Sequence, residues 1–179
     1  MDITDLSDLV NIHGKVIYGF CYKLVKNKVD ADDLYQETFL KATELCYKID
    51  KDNNSKGFLI SIAIGIWKNN RRKYARRQRI VPIVKINENV NTDYLFKDES
   101  TPEDAVISNE LDLTIQAAVD KLDDKFRIPL YMYYTAEMSN QDIALALKIP
   151  LGTVKSRLHN AKKALKKTLE LEVNDNEKF

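Results

Sequence analysis

The chain's 179 residues suffice for one ordinary domain or two small ones, and with 44% hydrophobic and 31% charged side chains it can bury a core rather than stay disordered. The longest apolar run, Gly57 to Trp67, falls short of the ~20 residues of a membrane helix, and the start MDITDLSDLV lacks the basic-then-apolar layout of a signal peptide, so neither membrane insertion nor export is expected. The net charge of +1 conceals blocks: residues 61–86 carry 8 basic and 0 acidic side chains, 151–170 carry 6 and 1, and 87–150 carry 5 and 13.

Residues 3–27 set Ile3, Leu6, Val10, His13, Ile17 and Leu24 near helical spacing, which predicts an amphipathic helix or two with Gly14 and Gly19 as weak points. From Asp30 onward, Ala31, Leu34, Thr38, Ala42 and Leu45 fall on one stripe, and acidic residues fill the first turn as the helix dipole favours. Asp33, Gln36, Glu37, Lys41 and Glu44 lie off that stripe. Asp50 to Ser55 reads as loop, and Gly57 to about Arg79 as one long helix, apolar at first and basic later. Periodicity then stops. Pro82, an Asn-rich piece and Asp98-Glu99-Ser100-Thr101-Pro102 predict an acidic linker over 81–107.

Helical pattern resumes with Leu111, Ile115, Ala118 and Leu122, and again through Phe126, Leu130 and Tyr133. Ser139 followed by Asp142 has the form of a capping box opening a helix from Asp142 to Lys148. After a break at Pro150-Leu151-Gly152, a last helix to about Leu171 places Val154, Leu158, Ala161, Leu165 and Leu169 on a single stripe, ahead of a tail expected to fray. With no strand-like alternation, the expected fold is all-α: two small helical domains, 1–80 and 108–171, a flexible linker over 81–107 between them, and a tail over 172–179.

Catalytic constellations are absent from the pattern. His13 and His159 are the only histidines and have no ligand-spaced Cys or His beside them, which argues against zinc. Gly14 and Gly19 have P-loop spacing, but Phe20-Cys21 stand where Lys-Ser/Thr would bind phosphate and magnesium. Asp30, Asp32, Asp33 and Glu37 read as helix-start acids, since no Gly-turned loop gathers their oxygens on one ion. The expectation is no enzyme, no metal and no cofactor. Cys21 and Cys46 could pair only with each other, and reduced thiols in the cytoplasm are expected.

Two cationic helices remain. The segment from Ser139 through Leu165 has the layout of a helix-turn-helix, and opposite its apolar stripe the second helix carries Ser156, His159, Asn160 and Lys163, with Lys155 and Arg157 on the flanks. Such a surface can enter a major groove, where Lys, Arg and Asn donate to base edges and phosphates. In the earlier basic helix Lys68, Arg71, Arg72 and Arg76 crowd together with Trp67, Asn69, Asn70 and Tyr74, so cations can hold phosphates while amide and aromatic groups meet unpaired bases. Trp67 has two readings, the end of the apolar run and a stacking platform.

With these residues assembled, the chain resembles the extracytoplasmic-function (ECF, group-four) sigma factors of the sigma-70 family. Asp30-Ala-Asp-Asp-Leu-Tyr-Gln-Glu-Thr-Phe-Leu-Lys-Ala42 is similar to their D-A-x-D-L-x-Q-E-x-F-L-K-A segment, and the run from Pro150 to Leu165 to their P-x-G-T-V-K/R-S-R-L helix. The resemblance implies two regions. Region two, with Asp30, Asp33, Gln36 and Glu37, would dock on core RNA polymerase and would recognise and open the minus-ten element through Trp67, Lys68, Asn69, Arg71, Arg72 and Arg76. Region four would read the minus-thirty-five element through Lys155, Ser156, Arg157, His159, Asn160 and Lys163. It also implies promoter DNA as target and an anti-sigma factor, often membrane-tethered, as regulator in a stress response. Gly65 stands where many members carry Asn, and Phe58-Leu59 where they carry Trp-Leu. The competing reading is a dimeric helix-turn-helix repressor or activator that works without polymerase, which leaves the first basic helix unexplained.

Overall fold

The computed structural model describes residues 3–45, 54–80 and 112–176; these are helices and the turns between them, with no strand among the described residues. The expected linker over 81–107 and Cys46 lie outside them. Three helices precede that gap: α1 (Ile3–Val25), α2 (Lys28–Glu44) and α3 (Ser55–Ile80).

The three pack on one another pairwise. Their common core holds Ile17, Phe20, Cys21 and Leu24 of α1, Ala31, Leu34, Thr38, Phe39 and Ala42 of α2, and Leu59, Ile60, Ala63, Ile64 and Trp67 of α3. The stripe read from α2 is therefore the buried one, although Leu45 at its end is only half-buried. Thr38 is tolerated in the core because its Oγ1 donates to the Leu34 carbonyl at 2.7 Å. Phe58 is half-buried while Leu59 is fully buried, so only the second residue of that pair is true core.

Neither Gly14 nor Gly19 breaks α1. A Cβ at Gly14 would lie 2.8 Å from Tyr35 Oη, so the glycine makes room on α1 for the Tyr35 hydroxyl of α2. Beside it Tyr18 Oη donates to Asp32 Oδ1 at 2.8 Å, and the Tyr18, Tyr35 and Phe39 rings pack in series, the first pair edge-to-face and the second tilted. A left-handed Lys26 (φ 66°) ends α1, and the Asn27 side chain caps α2 by accepting from Asp30 N at 2.8 Å. Helix α2 thus starts at Lys28, ahead of the acids that marked its start in the sequence.

After the gap, residues 112–120 form α4, followed by α5 (Asp124–Tyr134), α6 (Asn140–Leu147) and α7 (Leu151–Asn176). The expected cap is present: Ser139 Oγ accepts from Asp142 N at 3.1 Å and donates to Asp142 Oδ2 at 2.7 Å, which opens α6 at Asn140 rather than at Asp142. Lys148 ends it in the left-handed conformation (φ 54°), with its N–H and that of Ile149 bonded back to the last carbonyls of α6. The break is therefore Lys148 to Pro150. Leu151 and Gly152 already belong to α7. That helix also runs through Asn176, past the point where fraying was expected, because no Pro or Gly interrupts it after Gly152.

Candidate nucleic-acid and polymerase interfaces

The face of α2 opposite its core stripe carries the predicted docking residues. Asp30, Asp33, Gln36 and Glu37 are all exposed, and their spacing of three and four residues makes them neighbours on one helical surface. Asp30 is also half of the helix cap, since Asn27 Nδ2 donates to its carboxylate at 2.6 Å. Asp32 is turned aside by its bond to Tyr18. Two apolar side chains border the acidic surface, Val29 at 71% and Leu40 at 68% exposure. Sequence reasoning passed over them; the available signal was that neither falls on the Ala31–Leu34–Thr38–Ala42 stripe.

On α3 the structure divides the predicted minus-ten set. Trp67 is 6% exposed, so it belongs to the core and offers no stacking face; the Arg71 guanidinium lies over its ring at 4.8 Å from the centroid. Of the two readings of Trp67, the structure of the free chain has the first, the end of the apolar run. The physical reason is its register: with about 100° per residue, Trp67 falls in line with buried Ala63 and Ile60. The same count places Gly65, Lys68, Asn69, Arg72 and Arg76 together on the opposite face, and all five are exposed. Arg71 lies at the margin of that face, held toward the tryptophan. A Cβ at Gly65 would meet no atom within 4 Å, so packing does not demand glycine there. Asn70, also exposed, donates through Nδ2 to Glu37 Oε2 at 3.3 Å and so joins α3 to the acidic face of α2. Its amide was expected to meet unpaired bases; the bond to Glu37 was not expected.

On α7, Lys155, Ser156, His159, Asn160 and Lys163 are exposed, and Arg157 is half-buried on the flank. Buried Val154, Leu158 and Ala161 form the other side. Ser156 Oγ donates to the Thr153 carbonyl at 3.0 Å, which leaves its lone pairs outward as acceptors. Helix α7 contains no acidic residue before Glu170, which pairs with Lys166 at 3.7 Å, so its first turns carry basic side chains and no acid.

The remaining reactive groups serve the fold. His13 Nε2 lies 3.0 Å from Ser55 Oγ, and desolvation, with Lys56 nearby, holds its pKa below the usual 6.5. Burial pushes the Cys21 thiol up to about 12, against a weaker opposing bond with Thr38, and such a thiol is no nucleophile. No group of three metal-ligating side chains and no helix long and apolar enough to cross a membrane occurs among the described residues.

One acidic exposed face and two cationic helices, all on helices whose other side is buried, are the features set against known families. Sigma-70 region 2 matches residues 9–77, and Sigma-70 region 4 matches residues 112–165. The chain is 34% identical over 164 residues to the ECF RNA polymerase sigma factor SigW of Bacillus subtilis, covering 91% of this chain and 88% of that one. It is 29% identical over 155 residues to the RNA polymerase sigma-H factor of Pseudomonas aeruginosa, covering 86% and 80%. Its fold is that of the sigma factor RpoE crystallised with the anti-sigma factor NepR from Bartonella quintana, at a TM-score of 0.75 with 20% identity over 94% of this chain and 98% of the other. CnrH, solved with the cytosolic domain of CnrY, matches at a TM-score of 0.64 with 19% identity over 93% and 88%. The chain belongs to the ECF sigma factors of the sigma-70 family. It is thus a transcription initiation factor that acts with core RNA polymerase and not an enzyme, and the alternative of a polymerase-independent dimeric repressor falls away.

Proposed function

We propose that the acidic face of α2 seats the chain on core RNA polymerase, that the Gly65–Arg76 face of α3 receives the opened minus-ten strand, and that α7 reads the minus-thirty-five element. What carries this reading is one observation: on each of these helices the charged face is exposed opposite a buried apolar side. On α2, Asp30, Asp33, Gln36 and Glu37 meet basic groups of the polymerase in charge-assisted bonds, and exposed Val29 and Leu40 give that contact an apolar border. On α3, Lys68, Arg71, Arg72 and Arg76 hold phosphates while Asn69 addresses a base. Opening a base pair costs a few kcal/mol and is offset by capture of the exposed base. On α7, Lys155, Ser156, His159, Asn160 and Lys163 face the groove, with Arg157 on the backbone. The functional divisions are 1–80 and 108–171, with 81–107 as the connection.

The chain works in the cytoplasm, where its polymerase is, and an anti-sigma factor, membrane-associated and released by stress, covers the same faces. The likeness to the sigma factor RpoE, solved with the anti-sigma factor NepR, supports that regulation. The test is reconstitution. The purified chain is expected to comigrate with sigma-free polymerase and to start transcripts at defined sites. Asp33→Arg with Glu37→Arg should abolish comigration while leaving the circular dichroism of the free chain unchanged, since both residues are exposed. Normal comigration of that variant would overturn the docking assignment. Lys155→Ala should weaken promoter binding by about 1–3 kcal/mol if it contacts a base, and unchanged initiation with Lys155 and Arg157 both replaced would remove α7 as the reading helix.

A further inference from the structure

The seam between α2 and α3 holds a contact that the core does not require. Asn70 Nδ2 donates to Glu37 Oε2 at 3.3 Å, and both side chains are exposed. Lys41, one turn beyond Glu37 and its natural ionic partner on α2, is paired with Glu44 instead. Along α3, Asn70 heads a column of exposed side chains distinct from the Gly65–Arg76 face: Lys73, Tyr74 and Arg77 follow it one and two turns on, with the Tyr74 ring 54% exposed. An amide, a ring and two cations at that spacing are the elements that hold an unpaired nucleotide, the ring by stacking and the cations at phosphate.

We propose that Asn70 is a nucleic-acid contact kept in reserve: Glu37 holds one N–H of its amide, and with it the orientation of the side chain, in the free chain, and docking of α2 on a cationic protein surface releases it to the unpaired strand. The proposal rests on α2 being the docking face. A neutral donor at 3.3 Å in solvent makes a long, weak bond. A guanidinium or ammonium group brought to Glu37 makes a shorter, charge-assisted bond about twice as strong, so the exchange runs toward the partner. Freed from Glu37, the amide can donate to a base-edge acceptor beside Tyr74. By reciprocity, strand capture at Asn70 strengthens docking by the same factor that docking strengthens capture.

The hold is tested on the free, full-length chain with a fluorescent single-stranded 12-mer of mixed sequence at low salt. Glu37→Ala and Asp33→Ala each remove one exposed negative charge from α2, so general electrostatics affects both. The proposal expects Glu37→Ala to tighten oligonucleotide binding about two- to fivefold more than Asp33→Ala does, the worth of one weak hydrogen bond, and expects the excess to vanish in an Asn70→Ala background. Equal effects of the two substitutions, an excess that survives without Asn70, or no binding by any of these chains would overturn it. The release is tested in the polymerase complex, where Asn70→Ala should lower promoter opening by a similar factor; unchanged opening would overturn it as well. A wild-type chain that fails to bind polymerase shows the separate failure of the docking reading, and the free-chain comparison still decides the Glu37–Asn70 hold.

Discussion

Trp67 is the sharpest point at which the assignment of the minus-ten helix can be tested. Its side chain is 6% exposed, with Arg71 above the ring at 4.8 Å. A buried aromatic of this size withdraws about 150–250 Å2 from water, which at ~25 cal/mol per Å2 corresponds to about 4–6 kcal/mol. Measured truncations of buried Phe or Trp to Ala cost about 3–5 kcal/mol, because neighbours relax into part of the cavity. Trp67→Ala is therefore expected to lower the urea-unfolding free energy by about that amount, a large share of the ~5–15 kcal/mol that holds a typical protein together. Trp67→Phe keeps an apolar ring and should cost about 1–2 kcal/mol, while sustaining promoter opening in reconstituted holoenzyme. Fluorescence provides an independent readout, since this is the only tryptophan in the chain. Emission should be blue-shifted in the native state and remain nearly unquenched when single-stranded DNA saturates the protein. Strong quenching by the oligonucleotide, or a Trp67→Ala chain as stable as wild type, would refute the core assignment and return Trp67 to the DNA surface.

Two further outcomes follow from local geometry. Lys148 occupies the left-handed region at φ 54° with an exposed side chain, a conformation that costs a non-glycine residue about 1–2 kcal/mol; the extra freedom of glycine in the unfolded chain offsets about 0.4–1 kcal/mol of that, so Lys148→Gly should raise stability by about 0.5–1 kcal/mol, seen as a higher urea midpoint. His13 is held below its ordinary pKa of 6.5 by burial and by Lys56, so below that pH the unfolded chain binds more protons than the folded one. The contribution from neutral His13 is fully present above pH 6.5 and is lost as pH falls toward the lowered folded value. In urea titrations between pH 7.5 and 5, His13→Gln should flatten that part of the stability profile, and an unchanged slope would show that the His13–Ser55 contact does not set it.

The sequence was most legible where a helix lies half in the core. In α2, Ala31, Leu34, Thr38 and Ala42 recur at helical spacing, and the same period that marked them as buried marked Asp33, Gln36 and Glu37 as exposed. Helix α5 was least legible. The expected stripe was Phe126, Leu130 and Tyr133, but Arg127 through Met132 are six consecutive buried residues, while Phe126 is half-buried and Tyr133 exposed. A helix covered on nearly all sides has no stripe to read. Arg127 is concealed in that run because its guanidinium donates to Asp124 at 2.6 Å, a pairing one turn apart that composition alone does not distinguish from solvated charge. The α6–α7 turn was misplaced by two residues because its irregular backbone is carried by Lys148, a residue type with no preference for left-handed conformation, whereas Gly152 nearby attracted the break without supplying it. The amide of Asn70 was read as a base contact, but its bond to Glu37 was not, because the partner lies 33 positions away, a distance that periodicity within one helix cannot span.

Separation of stability from recognition is what allows so short a chain to engage two kinds of partner. On α2 and α3 the core uses one side of each helix, and after Trp67 the described residues of α3 are exposed or, at Gln78, half-buried, so the last turns of that helix contribute little to packing and carry seven cations without a single acid. Seven like charges on one helix repel one another, which costs folding free energy unless a counter-charge is near. The acidic surface of α2 provides one, reaching α3 directly at Glu37 and Asn70. On the proposed reading, that proximity moderates the repulsion in the free chain and opposes the approach of nucleic acid to the cations. A protein partner that neutralises α2 removes the competitor, and the attraction of α3 for phosphate rises without any change in the shape of either helix. The charge blocks seen in the sequence are on this view a coupled pair: acids on α2 tune how strongly the cations of α3 bind, and the tuning is set by what covers the acids.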